Sequence, residues 1–181
     1  MASRKLALVS ASFYPTEGGA ERQLRQVLSS RRLLTSYETW VVTRGRKAFR
    51  LQDLQRADQP TSSRAKVLLV FRILKKLIAV NPDVVLASQL GVETGAASVY
   101  CSLRRKPLAV RLSGGGVPTT NENRWEVRRV PRPVRMALRL AGNRVPMVLI
   151  SPSRRLMADT LVHLGDGAWE TRLIPNGVSK R

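Results

Sequence analysis

The sequence predicts an α/β fold in which a parallel β-sheet is covered on both faces by helices. Short aliphatic runs alternate with helical patterns along the whole chain, and this order is typical of a parallel sheet with helical crossovers. The first run, residues 5–11, is almost continuously aliphatic, as expected of a strand buried on both faces. The longest apolar run, residues 67–80, is interrupted by Arg72, Lys75 and Lys76, so it is too short to span a bilayer.

Seven segments have the composition of strands. The second, YETWVVT, is rich in β-branched and aromatic residues, and the others are mostly short aliphatic runs that end near turn residues. The predicted strands are residues 5–11, 37–43, 49–51, 83–87, 107–112, 146–151 and 171–174.

Five segments show helical periodicity. In residues 64–80 the apolar positions share one face and the basic side chains lie largely elsewhere, which indicates a helix with one solvent-exposed basic side. Its apolar face consists of Leu69, Ile73, Leu77 and Val80. Ser153 is well placed as the N-cap of the last helix. The predicted helices are residues 20–30, 64–80, 91–105, one that starts at Pro131 or Pro133, and 154–164.

Two glycine-containing loops follow predicted strands. Gly18 and Gly19 lie between the first strand and a helix, where free backbone N–H groups and the helix dipole favour an anion. The alternative is a tight turn without a ligand, because the full dinucleotide-binding glycine pattern is absent. Ser113, Gly114 and Gly115 follow the strand at 107–112. Both loops come after strand ends, where parallel sheets bind ligands, and this favours a phosphate site.

The length is that of one domain, and the composition gives it a large positive charge. The chain has 181 residues, with 32 Lys and Arg against 12 Asp and Glu, a net charge of +20. Such a field attracts nucleic acid, anionic lipid or phosphorylated substrates, although a GC-rich genome would also enrich arginine. The single cysteine, Cys101, excludes an internal disulfide framework, suits a reducing compartment and is expected in the core. The acidic residues are scattered, so we expect no metal site.

Arginines recur at helical spacing late in the chain. Four of them follow one another at steps of four, three and four residues, and the apolar Val134, Leu138 and Ala141 share another face. The pattern fits a membrane-surface helix, and it equally fits a solvated outer helix. The four are Arg128, Arg132, Arg135 and Arg139.

With these residues placed, the sequence resembles the N-terminal half of glycosyltransferase family 4, the retaining GT-B group that uses nucleotide-sugar donors. Four segments carry the resemblance in order, and together they cover nearly the whole chain. They are FYPTEGGAER, NPDVVLAS, KPLAVRLSGG and VLISPSRRLMADTLVHLG with TRLIPNGV. The resemblance implies a Rossmann-like parallel sheet with helices on both faces, one half of a GT-B fold.

The resemblance also implies roles for the two loops. Gly18 and Gly19 would approach the donor diphosphate, and Glu21 and Arg22 would open the helix that follows. On the acceptor side, Ser113 and Gly114 stand where many members have a His-Gly pair, with Gly115 next in the loop. Serine is not a base near neutral pH. The resemblance to retaining enzymes of this class implies that the donor phosphate itself deprotonates the acceptor. We expect Arg22 and Arg111 to supply the cationic groups.

The resemblance implies a partner as well. Residues 1–181 correspond to a single acceptor-side domain, and the nucleotide-sugar donor would bind a C-terminal domain or a separate catalytic subunit. We expect a sugar or lipid-linked acceptor, no cofactor held by this chain alone, no metal, and no transfer by the isolated chain. The expected location is cytoplasmic, on the inner face of a membrane if the basic helix makes contact.

The alternative function is a basic α/β module without catalysis that docks on a membrane or on nucleic acid. Specific nucleic-acid recognition is disfavoured, because the sequence lacks stacking aromatics, zinc-finger spacing and an RRM signature.

Overall fold

The computed structural model describes residues 4–11, 28, 30–45, 47–51, 53, 66–112, 130–165 and 167–174. Seven strands form one sheet in the order β3-β2-β1-β4-β5-β6-β7. The β3 strand is antiparallel to β2, and all other neighbours are parallel. The strands are β1 Arg4–Val9, β2 Tyr37–Val42, β3 Phe49–Arg50, β4 Val84–Ala87, β5 Leu108–Arg111, β6 Met147–Ser151 and β7 Glu170–Leu173.

All seven predicted strands are present, with ends that differ from prediction by at most two residues. The described helices are α1 Arg31–Ser36, α2 Lys66–Val80, α3 Val92–Arg104, α4 Arg132–Gly142 and α5 Arg154–Leu164. Helix α4 has Pro133 in its first turn, and the Oγ atom of Ser153 caps α5 by accepting from the Leu156 N–H at 3.2 Å. Both details confirm the sequence predictions. The predicted helix at 20–30 lies almost entirely outside the described residues.

The short helix α1 has no counterpart among the sequence predictions. Its six residues are too few to show a helical period, since one face is represented by a single apolar side chain. The Ser30 carbonyl accepts hydrogen bonds from the backbone N–H groups of Leu33 and Leu34, which closes the first turn. Leu33 then packs against the core beneath β1 and β2.

One face of the sheet carries the larger core. Alternate strand residues point toward this face, and helices α2, α3, α4 and α5 cover it. The predicted apolar face of α2 is buried there, as is Cys101. Desolvation raises the pKa of the Cys101 thiol to about 12, so the thiol is an inert core group as predicted. Helices α3 and α4 meet closely at Gly95, where an added Cβ would stand 3.2 Å from Cγ2 of Val134.

The opposite face carries a smaller core on the β1 and β2 side. Leu6, Leu8 and Val41 point toward it and pack with Leu28 and Leu33, both of which are helical. Helical residues therefore lie on both faces of a mostly parallel sheet, which confirms the predicted fold class.

The amino-terminal ends of β1 and β4 are joined through Asp83. The Lys5 backbone N–H donates to Oδ2 of Asp83 at 2.9 Å, and the Asp83 N–H donates to the Lys5 carbonyl at 2.8 Å. The Lys106 ammonium is 3.4 Å from Oδ1. The backbone hydrogen bond from Lys5, with a smaller contribution from Lys106, lowers the pKa of Asp83 below 3.8, although desolvation acts in the opposite direction.

We expect Asp83→Asn to lower the free energy of unfolding by about 0.5 kcal/mol at neutral pH, at the low end for a hydrogen bond because the side chain is 47% exposed and solvent screens its charge. Because the folded pKa is depressed, the contribution of the carboxylate is present above its unfolded pKa of 3.8 and is lost as the pH falls through the lower folded value. Urea unfolding at several pH values measures the difference between the two proteins. The exposed Asp53→Asn is the control, and a difference between wild type and Asp83→Asn that persists unchanged at strongly acidic pH would contradict the assignment.

Candidate functional site at the carboxyl ends of β1 and β4

The strand order reverses between β1 and β4. The chain leaving β1 returns as β2 on one side, whereas the chain leaving β4 passes through α3 and returns as β5 on the other side. Diverging connections leave a crevice outside the carboxyl ends of the two strands, and open α/β sheets bind ligands there. We call the carboxyl ends of β2, β1, β4 and β5, with the residues that directly follow them, the rim. It is the candidate functional site.

The two predicted glycine loops start from this rim. Val9 in β1 is opposite Ala87 in β4, and Ala87 is opposite Val110 in β5, so β1 and β5 end at the same level. Only β4 lies between them, and two strand spacings separate the starts of the loops by about 10 Å. The loop residues predicted for the site lie outside the described residues, so their roles stay predictions. They are Gly18, Gly19, Glu21, Arg22, Ser113, Gly114 and Gly115.

Two buried serines close the gap between β1 and β4 at the rim. The Ser10 N–H donates to the Val42 carbonyl at 3.1 Å, and the Ser88 N–H donates to the Val9 carbonyl at 3.0 Å. The Ser88 hydroxyl donates to the Ser10 hydroxyl oxygen at 2.8 Å. This contact fixes the position at which the chain leaves each strand.

A buried carboxylate lies at the start of α3, the helix that follows β4. Glu93 lies in the first turn of α3, and its side chain is only 5% exposed. Its Oε1 atom accepts from Nε of Arg44 at 2.5 Å, and the Arg44 side chain is 44% exposed. A Cβ added to Gly91 would stand 2.8 Å from Oε2 of Glu93, so the carboxylate lies against the backbone at the start of the helix. A paired carboxylate of this kind orients a guanidinium and does not act as a free base.

A lysine holds the turn that carries Arg44. The Nζ atom of Lys76, from α2, donates to the Thr43 carbonyl at 2.8 Å and also to the Gly45 carbonyl. The Thr43 hydroxyl oxygen accepts from the Gly45 N–H at 3.2 Å. Lys76, Thr43 and Gly45 are all buried, so the turn is fixed on both sides and presents Arg44 at the rim.

Arg111 is the last residue of β5 and lies at the same end of the sheet. It pairs in register with Ile150, is half-buried, and precedes Ser113 by two residues. The described part of the rim therefore contains two arginines, a carboxylate that pairs with one of them, and two buried hydroxyls that pair with each other. Among the residues that the structure describes, no three His, Cys, Asp or Glu side chains lie close enough to hold a metal ion.

Sequence reasoning did not identify Ser10, Arg44, Lys76, Ser88 or Glu93 as site residues. Ser10 and Ser88 each follow a buried strand directly, so their position was a usable signal. Glu93 is the one acid in a helix of mainly small and apolar residues, which was a second signal. Nothing in the sequence indicates that Glu93 pairs with a residue 49 positions away or that Lys76 turns inward.

The arginines predicted for membrane contact have different surroundings. Arg132 is exposed, and Arg128 lies outside the described residues. Arg135 and Arg139 reach the end of α5, where Nη1 of Arg135 donates to the His163 carbonyl at 3.4 Å and Nε of Arg139 donates to the Leu164 carbonyl at 2.6 Å. These two arginines therefore stabilise a helix C-terminus.

The end of α5 is shaped around Arg139. Gly165 has a φ of +70°, in the region that favours glycine, and the Arg139 guanidinium occupies the place that a Cβ would fill. The His163 carbonyl, at the same helix end, accepts from Arg135. Within the described part of the chain, no helix has the length and apolar character required to cross a membrane.

Strand order, parallel register and the crevice together decide the fold. It is a Rossmann-like α/β domain. A protein from Listeria monocytogenes described as a UDP-N-acetylglucosamine 2-epimerase is similar in structure, with a TM-score of 0.51 at 19% sequence identity, over 92% of this chain and 44% of its own. The chain thus spans less than half the length of that protein.

A second similar structure belongs to a different chemical class. It is a carboxylesterase from the thaumarchaeon Nitrososphaera gargenis, with a TM-score of 0.51 at 12% identity, over 97% of this chain and 82% of its own. The present sequence contains no Gly-x-Ser-x-Gly segment, which carries the nucleophile in α/β-hydrolases. No known protein family and no curated protein matches the chain in sequence. The two likenesses establish the fold alone.

We expect Arg44→Gln to lower the free energy of unfolding by about 1–3 kcal/mol, because it leaves the buried Glu93 carboxylate without its guanidinium. Solvent at the half-exposed Arg44 keeps the loss toward the lower end. The double variant with Glu93→Gln should cost less than the sum of the single variants, by about 0.5–3 kcal/mol. Urea unfolding measures this coupling, with the exposed Arg104→Gln on α3 as control. Strictly additive losses would show that the two side chains do not stabilise each other.

Proposed function

We propose that this chain is the acceptor-side domain of a nucleotide-sugar-dependent glycosyltransferase. The observation that carries the proposal is the reversal of strand order between β1 and β4, with two glycine-containing loops leaving the same rim. The four segments that resemble glycosyltransferase family 4 include both loops, and the loops follow β1 and β5 as that resemblance requires.

One of the two structures of similar fold belongs to a sugar-related protein. The Listeria protein is named for a nucleotide sugar, and its structure extends well beyond the part that this chain matches. In our proposal the rim forms one wall of a cleft, and a second domain or a separate catalytic subunit forms the other wall and binds the nucleotide-sugar donor. The acceptor is a sugar or a lipid-linked saccharide.

The proposed chemistry is positioning together with charge stabilisation. Backbone N–H groups near Gly18 and Gly19, with Arg22 and Arg111, face the diphosphate as negative charge develops on it. On the acceptor side, Ser113 accepts or donates a hydrogen bond at a sugar hydroxyl, and Gly114 and Gly115, which lack a Cβ, let the acceptor approach the backbone. The diphosphate of the donor takes up the acceptor proton. Ser113 does not, because serine is not a base near neutral pH.

The described residues give this wall its rigidity. Lys76 holds the turn after β2, Arg44 and Glu93 join that turn to α3, and Ser10 and Ser88 join β1 to β4. Catalysis by positioning requires reacting groups to be held to within a fraction of an ångström, and these contacts fix the strand ends from which both loops start.

Transfer by the isolated chain and by an assembled enzyme tests the proposal. The chain alone should release no nucleoside diphosphate from nucleotide sugars, and fusion to the nucleotide-sugar domain of a family 4 transferase should start release in the presence of saccharide acceptors. In the fusion, Arg111→Gln should lower kcat by about 10²- to 10³-fold, as loss of one donor to a developing anion does. The exposed Arg154→Gln is the control and should retain the activity. Turnover by the chain without the second domain would overturn the proposal.

A further inference from the structure

An apolar groove crosses the outer surface of the helix layer. Its volume is about 300 Å³, and it lies between the amino-terminal halves of α2, α3 and α4. Six of the side chains that line it are Val67, Val70, Val92, Val99, Pro133 and Ala137. Val92 lies in the groove and its neighbour Glu93 lies at the rim, so the groove adjoins the candidate functional site.

Exposed apolar side chains extend the groove along all three helices. On α2, Val67, Phe71 and Ile78 are exposed and follow helical spacing, so they share one face. Leu103 on α3 and Met136 and Leu140 on α4 are exposed as well. We call these six residues, together with the groove, the three-helix face. An apolar surface that joins several elements marks a place where a partner or a membrane binds.

The charges around the three-helix face are positive. Helices α2 and α4 contain no acidic residue, and the one acid of α3, Glu93, is buried and paired with Arg44. The exposed charged side chains of the three helices are therefore all basic. Those whose exposure the structure describes are Arg72, Lys75, Arg104, Arg132 and Arg139. The amino-terminal ends of the three helices meet around the groove, and their dipoles add positive potential there.

We infer that the three-helix face docks on an anionic lipid bilayer. Apolar side chains edged by Lys and Arg match the boundary between acyl chains and anionic headgroups. A second copy of the chain is a poor occupant, because each copy carries a net charge of +20 and would repel the other. Nucleic acid matches the charge but leaves the apolar stripes exposed to water.

This surface differs from the arginine stripe expected from the sequence. Two arginines of that stripe, Arg135 and Arg139, bind the end of α5. The membrane contact proposed here rests instead on apolar residues of three helices, with Lys75 and Arg132 at their edges. Docking in this way brings the rim close to the bilayer surface, where a lipid-linked acceptor would be presented. The inference does not depend on sugar transfer, since lipid binding is measured separately.

Co-sedimentation with vesicles tests the inference. The full chain should bind vesicles of equal parts phosphatidylcholine and phosphatidylglycerol, and should bind phosphatidylcholine alone weakly. Val67→Ser combined with Phe71→Ser should lower the partition coefficient by at least about tenfold, since two apolar side chains no longer insert. The control is Val162→Ser on α5, because Val162 is 78% exposed against 67% for Val67 and lies outside the face. It should bind as the wild type does.

A second pair of variants tests the charge. Lys75→Gln with Arg132→Gln should lower binding to the mixed vesicles by at least about tenfold. The control is Lys47→Gln with Arg154→Gln, which removes the same charge from exposed positions elsewhere and should lower binding by less than about threefold. Circular dichroism establishes that every variant is folded.

Three results would overturn the inference. The first is equal binding by the serine double variant and wild type, which would leave only net charge as the cause. The second is a concentration-dependent dimer in sedimentation velocity that the serine changes abolish, which would assign the face to a second copy. The third is duplex DNA binding tighter than vesicle binding and unaffected by the serine changes, which would assign the surface to nucleic acid.

Discussion

The connections of β1 and β4 run in opposite directions, and this constraint shapes the rest of the molecule. Crossovers between parallel strands are right-handed, so the chain from β1 to β2 must pass on one face, and the chains from β2 to β4 and from β4 onward must pass on the other. Helices α2 to α5 therefore form one layer over the larger core. The reversal also leaves a crevice outside the carboxyl ends of β1 and β4, and the candidate site lies there.

Different contacts hold β1 and β4 together at the two ends of these strands. At their amino-terminal ends, Asp83 binds the Lys5 backbone, and this hydrogen bond lowers the pKa of Asp83. At their carboxyl ends, the buried Ser10 and Ser88 hydroxyls pair, and Arg44 and Glu93 bring the neighbouring turn against α3. The contacts at the amino-terminal ends contribute stability. The contacts at the carboxyl ends also keep the strand ends in place where a ligand would bind. The polar groups buried there satisfy one another.

The strands and most helices could be predicted because their signals are local. A buried strand is aliphatic throughout, as β4 is, and a helix such as α2 repeats its apolar residues on one face. The pairing of Arg44 with Glu93 could not be predicted, since it joins residues 49 positions apart through the tertiary fold. The contact of Arg139 could not be predicted either. Its helical spacing predicts which face of α4 it lies on, but not that it binds a carbonyl at the end of α5. The exposed Phe71 shows the limit of periodicity, because the pattern identified the buried side of α2 and not the apolar outer side.

The central claim is that the rim at β1 and β4 faces a nucleotide sugar. Photolabelling tests it most directly, with an azido nucleotide-sugar analogue bound to the chain fused to a nucleotide-sugar domain, followed by peptide mapping. We expect label on residues 10–22 and 111–116, competed by unmodified nucleotide sugar, because both segments leave the rim beside the crevice. The claim would be contradicted by label at the amino-terminal ends of the strands, around Lys5, Asp83 and Lys106, that unmodified nucleotide sugar displaces, with no label at the rim.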